Sequence, residues 1–540
     1  MSRTQLSRYL GTAGLALALA APALLAEPPA WLMRVAAQPL PAFASEVPAA
    51  VLLDESETTV QPDGRETVLH RYAVRILNRS GRETACGEVG YLEKEDSVTS
   101  CAAWLIRTGK EVRPKEKPLW VDRSAAGGGE VTSEYRCRGV DYSDLTVDGD
   151  VFGYETTVEG RLLFAQESAS WGGRLPVLLD RYTLRLPPAW TIRPVVDGPQ
   201  SAKLQASTGT ACWTWEMHDQ PYRPDEPAMT GMARMDVRLF LDLVPPAGQG
   251  GKVRGFQSWA DVTAWLLELQ SPQCDTNPAL AATVRELTAG CADPVGRMRA
   301  LSRYAQSLRY VSADKGINEG FGYRPRKATE VHAKGWGDCK AKANLLRAML
   351  REIGIESYMV QADTRRGREI LDAWPSPMQF NHAILAIRAG DSVDLPACVT
   401  VPKLGRLLFF DATDNDVLLG DLPLYLQGSK VHVVAPGSDA LTPLPVLPTA
   451  THHLAMQRVE LTLDVSGAVV GECSFGGPGS VGADLRMRIR QNSAKDFRKK
   501  INELIAATVR GVTLDDLSTD DDPLTGECRV KCRFSSPRFA

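Results

Sequence analysis

Gly335-Trp-Gly-Asp-Cys-Lys-Ala-Lys-Ala-Asn-Leu-Leu-Arg-Ala-Met-Leu-Arg-Glu-Ile-Gly354 is the stretch on which the reading of this chain turns. Asp338 is a favoured N-cap type, Leu345, Leu346, Met349, Leu350 and Ile353 mark one face at helical spacing, and Gly354 is a C-cap signal. The pattern predicts a helix with Cys339 in its first turn. Unpaired backbone amides and the positive end of the macrodipole there favour thiolate over thiol. The same amides can stabilise an oxyanion on a carbonyl attacked by that sulfur, with Asp338 supporting the site.

A base must reach the thiol, and the chain has only seven histidines: His70, His218, His332, His382, His432, His452 and His453. His382 lies in Gln379-Phe-Asn-His-Ala-Ile-Leu-Ala-Ile387, an apolar run with the length of a buried strand. A histidine there is costly unless hydrogen-bonded, so it needs a polar partner. Asp411, in Leu407-Leu-Phe-Phe-Asp-Ala-Thr413, is an acid with the same need. On neighbouring strands, Asp411 would orient His382 and stabilise its imidazolium form.

Gly-Asp-Cys-Lys at a helix start, Phe-Asn-His 43 residues after the cysteine and Phe-Asp-Ala-Thr 29 residues further on resemble the bacterial transglutaminase-like superfamily. The resemblance covers about residues 290 to 435. It implies a papain-like core in which Cys339 starts a helix and His382 and Asp411 sit on adjacent antiparallel strands as a catalytic triad. One departure is Ala341, where many relatives carry an acid; this bears on local packing rather than on the triad. The layout also resembles envelope proteins with an uncharacterised β-rich domain before such a core and another β domain after it. For the second oxyanion donor, Tyr310, Trp336 and Gln306 are candidates.

On either side of this core the period of the sequence changes. From about Pro48 to Pro246, short alternating runs such as Thr67–Ile76, Tyr182–Leu186 and Met235–Val244 are broken by Pro-Asp-Gly at 62 to 64, Gly-Gly-Gly at 127 to 129 and Pro-Pro at 187 to 188. A β-rich, sandwich-like domain is expected there. At Ser258 a capping box with Asp261 opens a helical segment, followed by stretches at about 277 to 289 and 293 to 310. After the Pro-rich stretch from Pro436 to Pro448, alternation returns at Val459–Val465, then one helix at about Ala494 to Val509 and a strand holding Cys528 and Cys532. The expected fold class is therefore multidomain: a β-rich N-terminal domain, a central α+β transglutaminase-like core and a β-rich C-terminal domain that is small or cut short. Expected bounds are 1–26 signal peptide, 27–250, a helical connector at 251–290, 291–436 and 437–540.

At 540 residues the chain is too long for one core. Lys+Arg 62 against Asp+Glu 65 gives a formal charge of −3, which provides no electrostatic reason for nucleic acid or an anionic membrane as partner. Arg3 and Arg8 precede an apolar, alanine-rich run from Leu10 to Ala26, the pattern of a cleaved export signal; a retained anchor is the alternative. No later stretch reaches the about 18 apolar residues of a membrane span, so a periplasmic or secreted protein is expected.

Eleven cysteines, an odd number, leave at least one thiol unpaired in an oxidising compartment. Cys339 is expected to stay reduced, with Cys86–Cys101 as the expected disulfide across a hairpin. Cys528 and Cys532, on one face of a strand and about 13 Å apart, cannot pair with each other.

Gly477-Pro-Gly-Ser-Val-Gly482 satisfies G-x-G-x-x-G, but Pro478 and the lack of a following acid argue against a dinucleotide. Asp515 to Asp522 lacks the Gly and Glu of an EF-hand loop and is expected to be a solvated loop. No metal site and no cofactor are expected. The expected function is cysteine-dependent acyl transfer on a peptide or protein substrate of the cell envelope, hydrolysis before cross-linking, with water or an amine resolving the thioester. A catalytically idle envelope binding or assembly protein is the alternative. Residues 312 to 328, rich in turn formers, are the expected wall of the cleft.

Overall fold

The computed structural model describes residues 27–112, 118–124, 131–199, 201–224, 226, 236–246, 253–314, 322–365, 369–390, 393–522 and 525–539. The proposed export signal, the Gly-Gly-Gly turn and residues 315–321 of the expected cleft wall lie outside them. Contacts divide the chain into two compact units. The first holds the chain up to Trp265 with Val311–Arg324 and Arg365–Gln379; the second holds Leu266–Tyr310, Pro325–Thr364 and the chain from Phe380. Among the described residues no helix is long and apolar enough to cross a membrane.

In the first unit, Pro-Asp-Gly at 62 to 64 turns the chain between Ala49–Val60 and Arg65–Ile76, with Gly64 at φ +81° where a side chain would be strained. These two strands centre an eight-stranded sheet. In space it runs Gln205–Gly209, Cys212–Gln220, Val177–Arg185, Ala49–Val60, Arg65–Ile76, Val151–Arg161, Ser97–Arg107, Lys110–Glu111. A three-stranded sheet of Gln166–Trp171, Val237–Val244 and Thr191–Asp197 shares a core with it, Tyr182, Leu184 and Trp215 meeting Trp171, Leu239 and Leu241. This is the sandwich expected from period-2 runs buried on one face. Ser258 and Asp261 form the expected reciprocal cap, Asp261 N to Ser258 Oγ at 3.2 Å and Ser258 N to Asp261 Oδ2 at 2.9 Å.

The expected Cys86–Cys101 disulfide is not formed; both thiols are free. The chain does turn at 93 to 96, but Cys86–Leu92 pairs with Tyr135–Asp141 in a separate three-stranded sheet, whereas Ser97–Arg107 pairs with Val151–Arg161 in the large one. The two strands are not ladder partners, so the cysteines are never set opposite each other.

In the second unit, Pro278–Thr288 and Pro294–Ser307 are helices capped by Asn277 and Asp293, each with proline in the first turn. They precede the helix Cys339–Glu352, which packs on the strands His382–Arg388 and Ser357–Ala362 of a six-stranded antiparallel sheet. That sheet runs Cys398–Val401, Gly405–Phe410, His382–Arg388, Ser357–Ala362, Lys430–Val434, Thr442–Pro443. Leu345, Leu346, Met349 and Leu350 are fully buried beneath the helix, each contributing about 1.5–3 kcal/mol relative to exposure. Its end is a Schellman motif: Gly354 at φ +74° donates to Arg351 O at 3.0 Å and Ile355 N to Leu350 O at 2.9 Å.

The C-terminal region is a four-stranded antiparallel sheet, Met456–Leu463, Val469–Gly477, Cys528–Ser536, Thr513–Asp521, with two helices on its apolar face. Two expectations are corrected here. A second helix, Gly479–Gln491, precedes Ala494–Ala506, because Pro478 and the glycines start a helix instead of breaking one. The acidic segment at 515 to 522 is mostly an edge strand, Thr513–Asp521, whose carboxylates face solvent and blunt further pairing. Cys473 and Cys532, directly opposed on neighbouring strands with Cα atoms 5.2 Å apart, form a disulfide. At a sequence separation of 59 it adds about 4 kcal/mol in the chain-entropy model.

Candidate active site

Cys339 is the first residue of its helix. Gly335, at φ +70°, ends the preceding helix Ala328–Lys334, and Trp336–Gly337 bridges to Arg309–Tyr310 before the chain reaches Asp338. A Cβ on Gly337 would lie 2.7 Å from the Ala341 methyl, so the approach to the helix leaves no room for a side chain there. Asp338 caps, its Oδ1 accepting from Ala341 N at 2.9 Å while Oδ2 accepts from Lys340. Ala341 is itself fully buried against this turn.

His382 opens its strand and Asp411 follows directly after Gly405–Phe410, the neighbouring strand in the sheet. The His382 Nε2 to Asp411 Oδ2 distance is 2.7 Å. This leaves Nδ1 as the ring nitrogen available to Cys339, which lies close enough to raise the imidazole's pKa. Asp411 is almost wholly inaccessible and saturated as an acceptor: Oδ1 takes Thr413 N at 2.8 Å and Thr413 Oγ1 at 2.7 Å, and Oδ2 also takes Tyr425 OH at 2.9 Å. The two polar residues that looked out of place in apolar strands are therefore partners.

Their titration follows from this geometry. Burial opposes the charged form of His382, but the Asp411 carboxylate, helped by Cys339, outweighs it and raises the imidazole well above its ordinary pKa. Burial likewise opposes the Asp411 anion, yet the His382 charge and the hydrogen bonds of His382 and Thr413 hold its carboxyl below the usual value. Each partner thus favours the charged form of the other.

The remaining candidates are differently placed. Gln306 is buried, and its amide donates to Asp414 O at 2.6 Å and Val417 O at 2.7 Å, so both N–H groups serve the loop after Asp411. Trp336 carries Arg326 and Lys334 over its ring, at 5.0 and 5.5 Å. Tyr310 is 46% exposed and lies close enough to Tyr425 to influence its ionisation.

Sequence reasoning missed two participants. Lys342, fully buried, donates to Gln306 O and Leu308 O at 3.0 Å each, and burial lowers its pKa to about 8. It sits at helical spacing with Leu345, Leu346 and Met349, so a lysine within an apolar stripe was the available signal. Tyr425, in Leu422-Pro-Leu-Tyr-Leu426, gave none. Among the described residues no cluster of His, Cys, Asp and Glu could hold a metal ion.

Residues 281–389, which hold the Cys339 helix and the His382 strand, match the model of the Transglutaminase-like superfamily. More particularly, this transglutaminase-like domain follows a β-rich domain matched, over residues 62–224, by a domain of unknown function known from solved structure, DUF3857. Asp411 lies beyond the matched segment, and its partnership rests on the hydrogen bond itself. A solved structure from Parabacteroides distasonis ATCC 8503, described as a putative protease, superposes with a TM-score of 0.53 at 11% identity, covering 91% of this chain and 93% of that one. That likeness concerns the fold alone. A structure described as a putative cysteine protease from Cytophaga hutchinsonii reaches only 0.19 at 9% identity, covering 65% and 76%, and carries no weight. No curated protein matches the chain.

Proposed function

We propose that this chain is an exported cysteine acyl-transfer enzyme acting on peptide or carboxamide bonds, with Cys339, His382 and Asp411 as its triad. The observation that carries the reading is a free thiol at a helix N-terminus, close enough to bear on the ionisation of an imidazole that a buried carboxylate holds at 2.7 Å. The Cys339 thiolate attacks the carbonyl carbon, and the oxyanion meets the amides of the helix start. The His382 imidazolium gives its proton to the leaving amine as the C–N bond breaks, leaving a thioester. Water gives a proton to the now neutral His382 as its oxygen attacks the thioester, the C–S bond breaks, and the acid leaves with the Cys339 thiolate and His382 imidazolium restored; an amine in place of water gives cross-linking. Asp411 keeps the ring oriented throughout, with Tyr425 and Thr413 fixing the carboxylate. Of the three side chains considered for the second oxyanion donor, Tyr310 retains the accessibility the role needs, whereas the Gln306 donors are occupied. Export rests on the Arg3/Arg8 and Leu10–Ala26 pattern.

Iodoacetamide labelling of the full chain, read by peptide mass spectrometry, tests the reading. Cys339 should label at pH 6 faster than the eight other free cysteines, and His382→Ala should abolish that advantage. Equal, slow labelling in both proteins favours the non-catalytic binding protein. Peptides released from an envelope extract by wild type but not by Cys339→Ala would define the substrate.

A further inference from the structure

The loop that follows Asp411 is held from two sides. From within the core, Gln306 donates to the carbonyls of Asp414 and Val417, and Gln306 in turn accepts from Lys342 on the Cys339 helix. Inside the loop, Asp414 Oδ1 accepts from Asp416 N at 3.0 Å and Val417 N at 3.2 Å, which makes the turn stiff. The other hold comes from the C-terminal region. Arg490, on the helix Gly479–Gln491, forms a bidentate pair with the Asp416 carboxylate. Arg486, one turn earlier and buried, donates to Asp416 O at 3.2 Å while anchoring to Asp521 Oδ1 at 2.7 Å and Gly526 O at 2.9 Å.

We propose that this arginine pair is a positioning clamp: the C-terminal region fixes the 412–417 loop and through it the Asp411 carboxylate against His382, making that region part of the catalytic machinery. The inference rests on the triad reading above. Its physical basis is that a mispositioned Asp411 cannot orient the His382 imidazole that takes up the Cys339 proton, whereas a merely structural contact would leave the reactivity of the thiol unchanged. The groups facing His382 are Asp411 and Cys339, with Tyr425 and Lys342 acting on Asp411 from behind. Arg490 is half exposed but Asp416 is nearly buried, so Arg490→Met leaves that carboxylate without its ion pair, whereas Asp416→Asn removes the charge and is the milder change to the fold. Arg486 is buried, and its loss carries a greater folding risk.

The test is the pH profile of Cys339 alkylation by iodoacetamide in the full chain, for wild type, Arg490→Met, Asp416→Asn, Arg486→Met and the conservative Arg490→Lys. Arg490→Met and Asp416→Asn are expected to slow alkylation at pH 6 about tenfold while leaving the rate at pH 9.5 unchanged, with Arg490→Lys restoring most of the loss. Arg488→Met, which removes only a pairing with Asp484 on the same helix, should behave as wild type. If Arg486→Met does not fold, Arg490→Met and Asp416→Asn decide. A wild-type Cys339 that reacts quickly at pH 6, with both variants equally quick, overturns the clamp and leaves the triad standing. A wild-type Cys339 no faster than exposed Cys86 overturns the triad reading and the clamp with it.

Discussion

Two helices in the second unit begin after a glycine-containing turn, Cys339–Glu352 and Gly479–Gln491, and at each a side chain takes one early amide, but only the first places a thiol there. At the first, Asp338 takes the Ala341 amide and Cys339 sits at the first helical position with His382 beside it. At the second, Pro478 makes no side-chain cap, and the imidazole of His453 closes the terminus, Nδ1 accepting from Ser480 N at 3.0 Å. A Cβ on Gly479 would lie 2.0 Å from His452 O and 2.5 Å from His453 Nδ1. The G-x-G-x-x-G spacing of Gly477–Gly482 thus serves close packing. What sets the Cys339 terminus apart is the thiol at its first position with His382 beside it, since an early amide is taken by a side chain at both termini. The two histidines differ accordingly: His382 is pushed up by Asp411, whereas His453 is pushed down, first by burial and then by the neighbouring His452 charge.

The largest expected effect breaks the first terminus. His382→Ala should lower turnover of any substrate found by roughly 10³–10⁴-fold, and Asp411→Asn by roughly 10²–10⁴-fold, with KM little changed. A loss of less than tenfold in either would dissociate the imidazole from the chemistry and return the first terminus to an ordinary capped helix.

The next breaks the second. Gly479→Ala must adopt φ +59° and displace backbone, so a destabilisation of at least about 2 kcal/mol is expected, read by hydrogen exchange at Gly479–Gln491. Unchanged protection would mean that the terminus is open and could receive a ligand after all.

A smaller effect sharpens the comparison. Asp338→Ala should cost about 1 kcal/mol of helix stability, measured by thermal unfolding. A larger decrease in Cys339 reactivity than that cap accounts for would assign Asp338 to the site as well.

The smallest is a pH dependence. His453 has a folded pKa below its unfolded value, so the fold prefers the neutral ring; its contribution is present above about pH 6.5 and is lost as pH falls below that. His453→Gln should flatten the decline in stability of the C-terminal region between pH 6.5 and 5. An unaltered slope would show that the Ser480 contact is dispensable.

The Cys339 helix was legible in the sequence because its signals are local: Asp338, the apolar stripe and Gly354 each act within a turn or two, as does the Ser258–Asp261 cap. His382 and Asp411 were legible for another reason, since a lone histidine and a lone acid in apolar strands each demand a partner and each was the other's best option. Local signals failed where a contact depends on which strands become neighbours. Cys86 and Cys101, close in sequence, went to different sheets, while Cys473 and Cys532, 59 residues apart, were set opposite each other by antiparallel register. Tyr425, the use of both Gln306 donors and the arginines on Asp416 belong to the same kind. Composition and spacing thus determined which polar residues are paired beside Cys339, because burying a polar group has a cost that shows in the sequence. Only the tertiary structure decided what holds them in place, because those partners are chosen by sheet order and packing across the chain, which no local period encodes.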